Sequence, residues 1–343
     1  MESNVFARIR GSLIEQHQNL THWLTITPPR KRAVRLGPIG EEAVHAHLQV
    51  LDTAIAKAAD QTLGECQVCH LTIEPDRLAM DYTCCVCLDH YSPAEREQLE
   101  AELEMTTKVQ QALLPQHAPT IAGLDLAAYS RPADIVSGDY FDFFQFQDAA
   151  HGLVIGDVAG HGMSASLLMA SLQASLRTLV ADHTAPAEVV RRLNLLFCHT
   201  IHLTKFVTLF VGRFDAQRRT LTYCNAGHNP PLLFRGKANG HAPFTWLRPT
   251  GAAIGLVEEF QFRAAQVELK PGDALLLYTD GVTEAINAQA EEFGEARLLD
   301  LLGETATWPA QEMARALRQR LGEFTRGQPP ADDLTFVACK ITH

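Results

Sequence analysis

The residues best placed to do chemistry are aspartates that stand beside glycine or a turn at the end of an apolar run. Leu153-Val-Ile-Gly-Asp-Val-Ala-Gly-His-Gly162 reads as a covered strand that runs into the Asp157 carboxylate and then a glycine-rich turn. Ser137-Gly-Asp139 leads into the aromatic run Tyr140 to Phe144. Ala274 to Thr279 is a second buried strand ending in Asp280-Gly281, and Asp332-Asp333 stand just before a third. Strand ends allow carboxylates far apart in the chain to meet at one sheet edge. There they repel and raise each other's pKa unless cations neutralise them. An oxygen donor set without histidine or cysteine suits a hard divalent ion, Mg²⁺ or Mn²⁺.

In their order, Ser137-Gly-Asp-Tyr-Phe-Asp142, Gly156-Asp-Val-Ala-Gly-His-Gly162, Asn225-Ala-Gly-His-Asn-Pro-Pro231, Tyr278-Thr-Asp-Gly-Val-Thr-Glu-Ala285 and Asp332-Asp-Leu-Thr335 resemble the motifs of the bacterial SpoIIE/RsbU phosphatases. These are metal-dependent serine/threonine phosphatases of type 2C. The resemblance covers residues 115–343 and implies an αββα sandwich with two Mn²⁺ or Mg²⁺ ions at one end. It assigns catalytic and metal-binding roles to Asp139, Asp157, Asp280 and Asp332, with Asp157 between the ions and the Val158 carbonyl on one of them. Ser137 replaces a common glycine and Ala159 a common serine, and neither change removes a ligand. The implied reaction is hydrolysis of phosphoserine or phosphothreonine by a water activated between two ions. The implied substrate is a phosphorylated signalling protein, an anti-sigma-factor antagonist.

A second constellation is Cys66-Gln-Val-Cys69 followed by Cys84-Cys-Val-Cys87. Two C-x-x-C pairs offer four thiolates to one tetrahedral Zn²⁺, by Cys66, Cys69, Cys84 and Cys87, although Cys85 competes with Cys84. The gap between the pairs is one residue below the usual range. With Leu63-Gly-Glu, Arg77-Leu-Ala79 and the helix before them, these cysteines resemble the zinc finger of the DksA/TraR regulators. That resemblance implies a helical hairpin and a structural zinc. Those regulators act on RNA polymerase, which makes a transcription regulator contacting polymerase through the hairpin one alternative function. A catalytically silent scaffold is another.

The elements that must position these groups form an α+β chain. An α-helical hairpin and a small four-cysteine zinc finger are expected over residues 1–91, from helices at Glu2–Trp23 and Glu41–Leu63 with the basic run Arg30 to Arg35 at the tip. A linker helix follows over 92–114, with Ser92 as N-cap and Pro93 at its first position. Its heptad seam would be Leu99, Leu103, Thr106, Gln110 and Leu113, a possible coiled coil and the basis for expecting a homodimer. It ends in Gln110 to Pro115, which matches the linker of the SpoIIE/RsbU phosphatases.

The αββα domain occupies 115–343. In it, 205–215 pairs with 220–225, and 260–269 is expected to pair with 274–279 around Pro271-Gly-Asp273. The helix after Asp157 would bury Leu167, Leu168, Leu172 and Leu176. Asp273 reads as a turn residue, and Cys198, Cys224 and Cys339 as core thiols. His161 and His228 either order loops or shuttle protons.

Composition narrows the setting. The 343 residues carry a net charge of −11, against broad nucleic-acid binding. Met1 to Arg8 lacks the apolar stretch of a signal peptide, and no run approaches the ~18 apolar residues of a membrane span. Eight cysteines, most of them clustered, point to metal binding in a reducing compartment, so a cytoplasmic location is expected.

Overall fold

The computed structural model describes residues 9–342 apart from 12, 15–16, 19, 23, 26–27, 30–31, 33–39, 61, 75–76, 79–81, 134, 161, 201–205, 236–243 and 329. Of the basic run, only Arg32 is among them, and His161 is outside them. The chain divides into two compact units, Met1–Thr106 with His199–Lys205, and Thr107–Cys198 with Phe206–His343, so that one boundary falls inside the linker helix. Among the described residues no helix is long and apolar enough to cross a membrane.

In the first unit, helix α1 (Gly40–Ala59) carries acids in its first turn and Lys57 in its last, both favourable to the helix dipole. The described residues between 9 and 25 are mostly helical. Ile9, Leu13 and Leu20 share a buried cluster with Val44, Leu51 and Ala54 of α1, and with Leu63, Cys66, Ile73 and Cys87 of the cysteine-rich segment. Helix α2 (Pro93–Leu113) starts with a reciprocal cap: Ser92 Oγ accepts from the Glu95 amide at 3.3 Å while the Ser92 amide donates to Glu95 Oε2 at 2.8 Å.

The second unit stacks two antiparallel sheets. One has the order β1 (Leu124–Arg131), β10 (Leu334–Ile341), β9 (Ala274–Tyr278), β6 (Leu232–Phe234), β7 (Phe244–Trp246). The other runs β2 (Asp139–Gln145), β3 (His151–Val158), β4 (Val207–Asp215), β5 (Thr220–Ala226), β8 (Ala265–Glu268). Phe141, Phe143, Leu153, Ile155 and Phe210 of the second sheet meet Leu126, Leu233, Leu275, Leu277 and Val337 of the first in the central core.

Helices cover both outer faces. On the first sheet, Leu276, Tyr278 and Phe336 pack against Leu298 and Leu302 of α6 (Gly294–Thr305) and Leu317 and Leu321 of α7 (Ala310–Thr325). The second sheet is covered by α3 (Met163–Asp182), with α4 (Pro186–Thr200) following in the chain. The buried stripe of α3 is Ala165, Met169, Leu172, Leu176 and Val180. Leu167, expected inside, is 66% exposed, because the stripe passes through Ala165 and Met169 instead.

One expected pairing is wrong. The 260–269 segment contributes β8 to the edge of the second sheet, paired with β5, whereas β9 lies in the first sheet between β10 and β6. The turn at 270–273 therefore carries the chain from one sheet to the other. Burial explains the choice: β9 is covered at every position, as a central strand must be, while β8 alternates and suits an edge. Asp273 serves the turn, accepting from the Lys270 amide at 2.8 Å.

Asp142 of β2 is fully buried on the helix side of its sheet. Its carboxylate accepts two 2.6 Å bonds from Arg177 of α3, with further bonds from Tyr140 Oη and the Phe143 amide. Arg177→Ala would leave this charge buried and uncompensated, and should lower the unfolding free energy by about 3 kcal/mol. Urea denaturation followed by circular dichroism checks this value. The low end of the range applies because the guanidinium is about half exposed.

Candidate metal centre

Register does most of the assembly. Asp139 and Asp157 are direct partners in the β2–β3 ladder, and Thr208 of β4 is the next partner across from Asp157. Two-residue periodicity places these three polar residues on the same face as Phe141, Ile155 and Phe210, at the end of the inter-sheet core. Asp280 opens a one-turn helix, α5 (Asp280–Thr283), directly after β9, and Asp332 precedes β10.

Electrostatics show that these groups share one place. Asp157 is held well above the usual carboxylate range, first by burial and then by the charges of Asp280, Asp332, Asp333 and Glu284. Asp139 is raised by burial and by Asp157 and Asp333, against hydrogen bonds from Thr335 and Thr279. Burial raises Asp280, while amide hydrogen bonds at Gly281 and its own position oppose the rise. Glu284 is raised by burial and by Asp280 and Glu292. The charges acting on Asp139 and Asp157 are other carboxylates, and the donors are oxygen, so the set fits hard divalent ions. The Val158 carbonyl lies beside Gly138, the neighbour of Asp139; a Cβ on Gly138 would come within 3.1 Å of it.

Several residues outside the expected set hold it in shape. Thr279 Oγ1 donates to Asp139 Oδ2 at 2.8 Å and accepts from the Thr335 amide at 3.1 Å, joining the two sheets at the site. Asp333 accepts from the amides of Ala133 at 2.8 Å and Gly138 at 2.6 Å, which pins the segment leading into Asp139. Gly281 lies so close to this segment that an added Cβ would fall 2.0 Å from the Asp333 carbonyl oxygen. From α2, Gln110 donates to the Ser137 carbonyl at 2.6 Å and accepts from its amide at 2.9 Å. In the sequence, Asp333 and Thr279 show only as neighbours of Asp332 and Asp280, and Gln110 as the start of the Gln110 to Pro115 linker match.

His228 is buried, and burial pushes its pKa down to about 3. It is therefore neutral at physiological pH. Its Nδ1 bonds Thr208 Oγ1 at 2.8 Å and its amide donates to Asn225 Oδ1 at 2.8 Å, an arrangement that orders the loop.

The cysteine-rich segment forms a second group. Cys66, Cys69, Cys87 and His90 place their ligand atoms within 4.8 Å of one another. Cys84 lies outside this set, with Arg77 Nη2 3.9 Å from its Sγ. Cys85 is exposed.

The layered fold, with carboxylates gathered at the end of the inter-sheet core, is that of a PP2C-type phosphatase domain. The solved SiaA-PP2C domain of Pseudomonas aeruginosa superposes with a TM-score of 0.64 at 23% identity, covering 73% of this chain and 100% of that one. The chain belongs to the family described as Stage II sporulation protein E (SpoIIE), whose match spans residues 147–342. Phosphoserine phosphatase RsbU of Bacillus subtilis (strain 168) is 28% identical over 245 residues, covering 71% of each protein. Protein IcfG of Synechocystis sp. is 30% identical over 265 residues, covering 69% of this chain but only 41% of IcfG.

Two outcomes follow from this geometry. Gln110→Ala removes two hydrogen bonds from Ser137, about 2 kcal/mol of local order, and should speed exchange of amides around Ser137 by at least tenfold. Hydrogen exchange read by mass spectrometry checks this. Raised carboxylate pKa values mean that the folded chain binds protons more tightly than the unfolded one. Stability of the chelator-treated protein should then fall as pH rises above the ordinary carboxylate range, from about 4 upward. Mn²⁺ should restore it, and more so at pH 8 than at pH 5, as thermal melts would show.

Proposed function

We propose that the chain is a metal-dependent phosphatase that removes phosphate from phosphoserine or phosphothreonine on a signalling protein. The observation that carries this reading is the gathering of Asp139 and Asp157 from one sheet with Asp280 and Asp332 from the other at the end of the inter-sheet core, where the charges shifting Asp139 and Asp157 are other carboxylates. Asp157, with the Val158 carbonyl, would hold a pair of Mn²⁺ or Mg²⁺ ions between β3 and the ends of β9 and β10. Asp280 and Asp332 would complete the shell on one side, with Asp139 close by. Two such ions supply Lewis-acid charge for the phosphoryl oxygens and make a water acidic enough to attack at neutral pH.

The protein's own residues supply position. Thr279 fixes the Asp139 carboxylate, and Asp333 fixes the loop before it. Beside Asp332 and Gly281 runs a cleft of about 70 Å³ whose walls include Arg131 and Arg318. These cations favour an anionic phosphoryl group over its neutral parent side chain. The relative named phosphoserine phosphatase supports the substrate class, and the motif resemblance supports an anti-sigma-factor antagonist as the phosphoprotein. A homodimer would form along the α2 seam of Leu99, Leu103, Thr106, Gln110 and Leu113, of which Gln110 also bonds Ser137 within its own chain.

Asp157→Asn and Asp280→Asn should each lower Mn²⁺-dependent hydrolysis of a phosphoserine peptide by about a thousandfold, the several kcal/mol expected of a lost metal ligand. Circular dichroism should stay near wild type, and the melting temperature of the metal-free variants should be no lower than that of the metal-free wild type. Asp273→Asn, in a turn away from the site, is the control with full turnover. Unaltered turnover in either active-site variant removes the assignment. A wild-type chain that binds phosphopeptide without hydrolysing it would favour a scaffold.

A further inference from the structure

The cysteine-rich segment is built around a donor set different from the one its two C-x-x-C pairs suggest. Cys66, Cys69, Cys87 and His90 bring their ligand atoms within 4.8 Å of one another, and Cys69 and Cys87 are 3.6 Å apart at sulfur. Ligands on a tetrahedral zinc ion, with Zn–S about 2.3 Å and Zn–N about 2.0 Å, stand roughly 3.5–3.8 Å from one another. The observed sulfur pair matches that spacing without any movement.

The backbone is shaped for the same purpose. Cys66 is wholly buried, and its sulfur accepts from the amides of Val68 and Cys87, each at 3.4 Å. Amides aimed at a sulfur favour its thiolate, which is the form a metal takes. The first pair sits on a tight turn: the Cys66 amide donates to the Leu71 carbonyl at 2.8 Å, and His70 adopts φ 59°. His70 points outward, its Nδ1 2.7 Å from Glu65 Oε1, and so leaves the set. The second pair sits on a 3₁₀ turn, Leu88–His90, that begins directly after Cys87.

Spacing agrees. Residues 70–83 separate Cys69 from Cys84, one short of the usual 15–20, whereas the seventeen residues 70–86 that separate Cys69 from Cys87 fall inside it. Arg77 meanwhile engages the other thiol. Its Nη2 lies 3.9 Å from Cys84 Sγ and 3.2 Å from Tyr91 Oη, and its Nη1 donates to the Val86 carbonyl at 3.0 Å.

We propose that Cys66, Cys69, Cys87 and His90 hold one structural Zn²⁺, with His90 taking the fourth position and Cys84 excluded from it. The ion then fixes the 3₁₀ turn two residues before the Ser92 cap, so the metal sets the point where α2 starts. This site is independent of the carboxylates of the second unit.

The test uses the full chain. After dialysis against excess Mg²⁺ to exchange ions on the carboxylates, elemental analysis should find one zinc per chain in the wild type, Cys84→Ser and Cys85→Ser. Loss of an outer partner of a metal ligand costs 10- to 100-fold in affinity, so loss of a ligand costs at least as much. His90→Ala should therefore release zinc to a chromophoric chelator at least tenfold faster. His90→Cys should retain zinc, which guards against a His90→Ala that merely misfolds. Replacing zinc with Co²⁺ should give a three-sulfur, one-nitrogen visible spectrum in the wild type and a four-sulfur spectrum in His90→Cys. Zinc loss in Cys84→Ser, zinc retention in His90→Ala, a four-sulfur spectrum in the wild type, or a wild type without zinc would each overturn the proposal.

Discussion

Like charge crowded into a dry corner is the constraint that the second unit has to meet. Two carboxylates 5 Å apart repel by about 3 kcal/mol at the effective dielectric of a protein interior. A domain has only about 5–15 kcal/mol of net stability to set against such terms. Asp157 feels Asp280, Asp332, Asp333 and Glu284 together, and its own burial adds to their effect. A few such pairs, all ionised, are enough to consume the stability of the fold. Protons or cations must offset the repulsion, and of the two only cations leave the carboxylates ionised as donors.

The sandwich is arranged to keep that crowd together while the rest of the core stays apolar. The acids sit at strand ends, so the inter-sheet layer behind them is filled by Phe141, Ile155, Phe210 and Leu277. Neutral donors take up part of the acceptor capacity: Thr279 on Asp139, and the amides of Ala133 and Gly138 on Asp333. Asp333 is thereby occupied in holding the loop, while its neighbour Asp332 is left to add its charge beside Asp157. Close backbone approach at Gly281, where a Cβ would clash with the Asp333 carbonyl, draws the end of β9 against the start of β10. A side chain there would push Asp280 and Asp332 apart.

What could be read from the residues followed the reach of each signal. Leu153 to Ile155 showed as a covered strand because an apolar run bounded by glycine is a local pattern, and β4 with β5 because a short polar turn joins them. The β8–β9 pairing failed for a non-local reason. The turn at Pro271-Gly-Asp273 resembles a hairpin turn, and only the burial of both faces of β9 reveals that the chain changes sheets there. Leu167 misled in another way: leucine at helical spacing marks a face, but Ala165 and Met169 define the one that packs. The candidate residues Asp139, Asp157, Asp280 and Asp332 could be picked out as aspartates at strand ends, while Thr279, Asp333 and Gln110 act through contacts between segments more than fifty residues apart or through backbone groups. The C-x-x-C pattern is likewise local, and the proximity of His90 to Cys66, Cys69 and Cys87 comes from the turns that follow.

Helix α2 connects these themes. None of its residues is buried, and a helix without a packed face draws most of its stability from its ends. The Ser92–Glu95 cap secures the first turn, and Gln110 secures the last by bonding both backbone groups of Ser137. Ser137 in turn accepts through Oγ from the Asp139 amide at 3.0 Å. Order in the final turn of α2 and order in the loop that presents Asp139 are thus parts of one equilibrium. Two hydrogen bonds of about 1 kcal/mol each correspond to roughly a thirtyfold bias in that equilibrium. Thermodynamic linkage makes the relation reciprocal: whatever steadies the helix end steadies the loop, and whatever orders the loop steadies the helix.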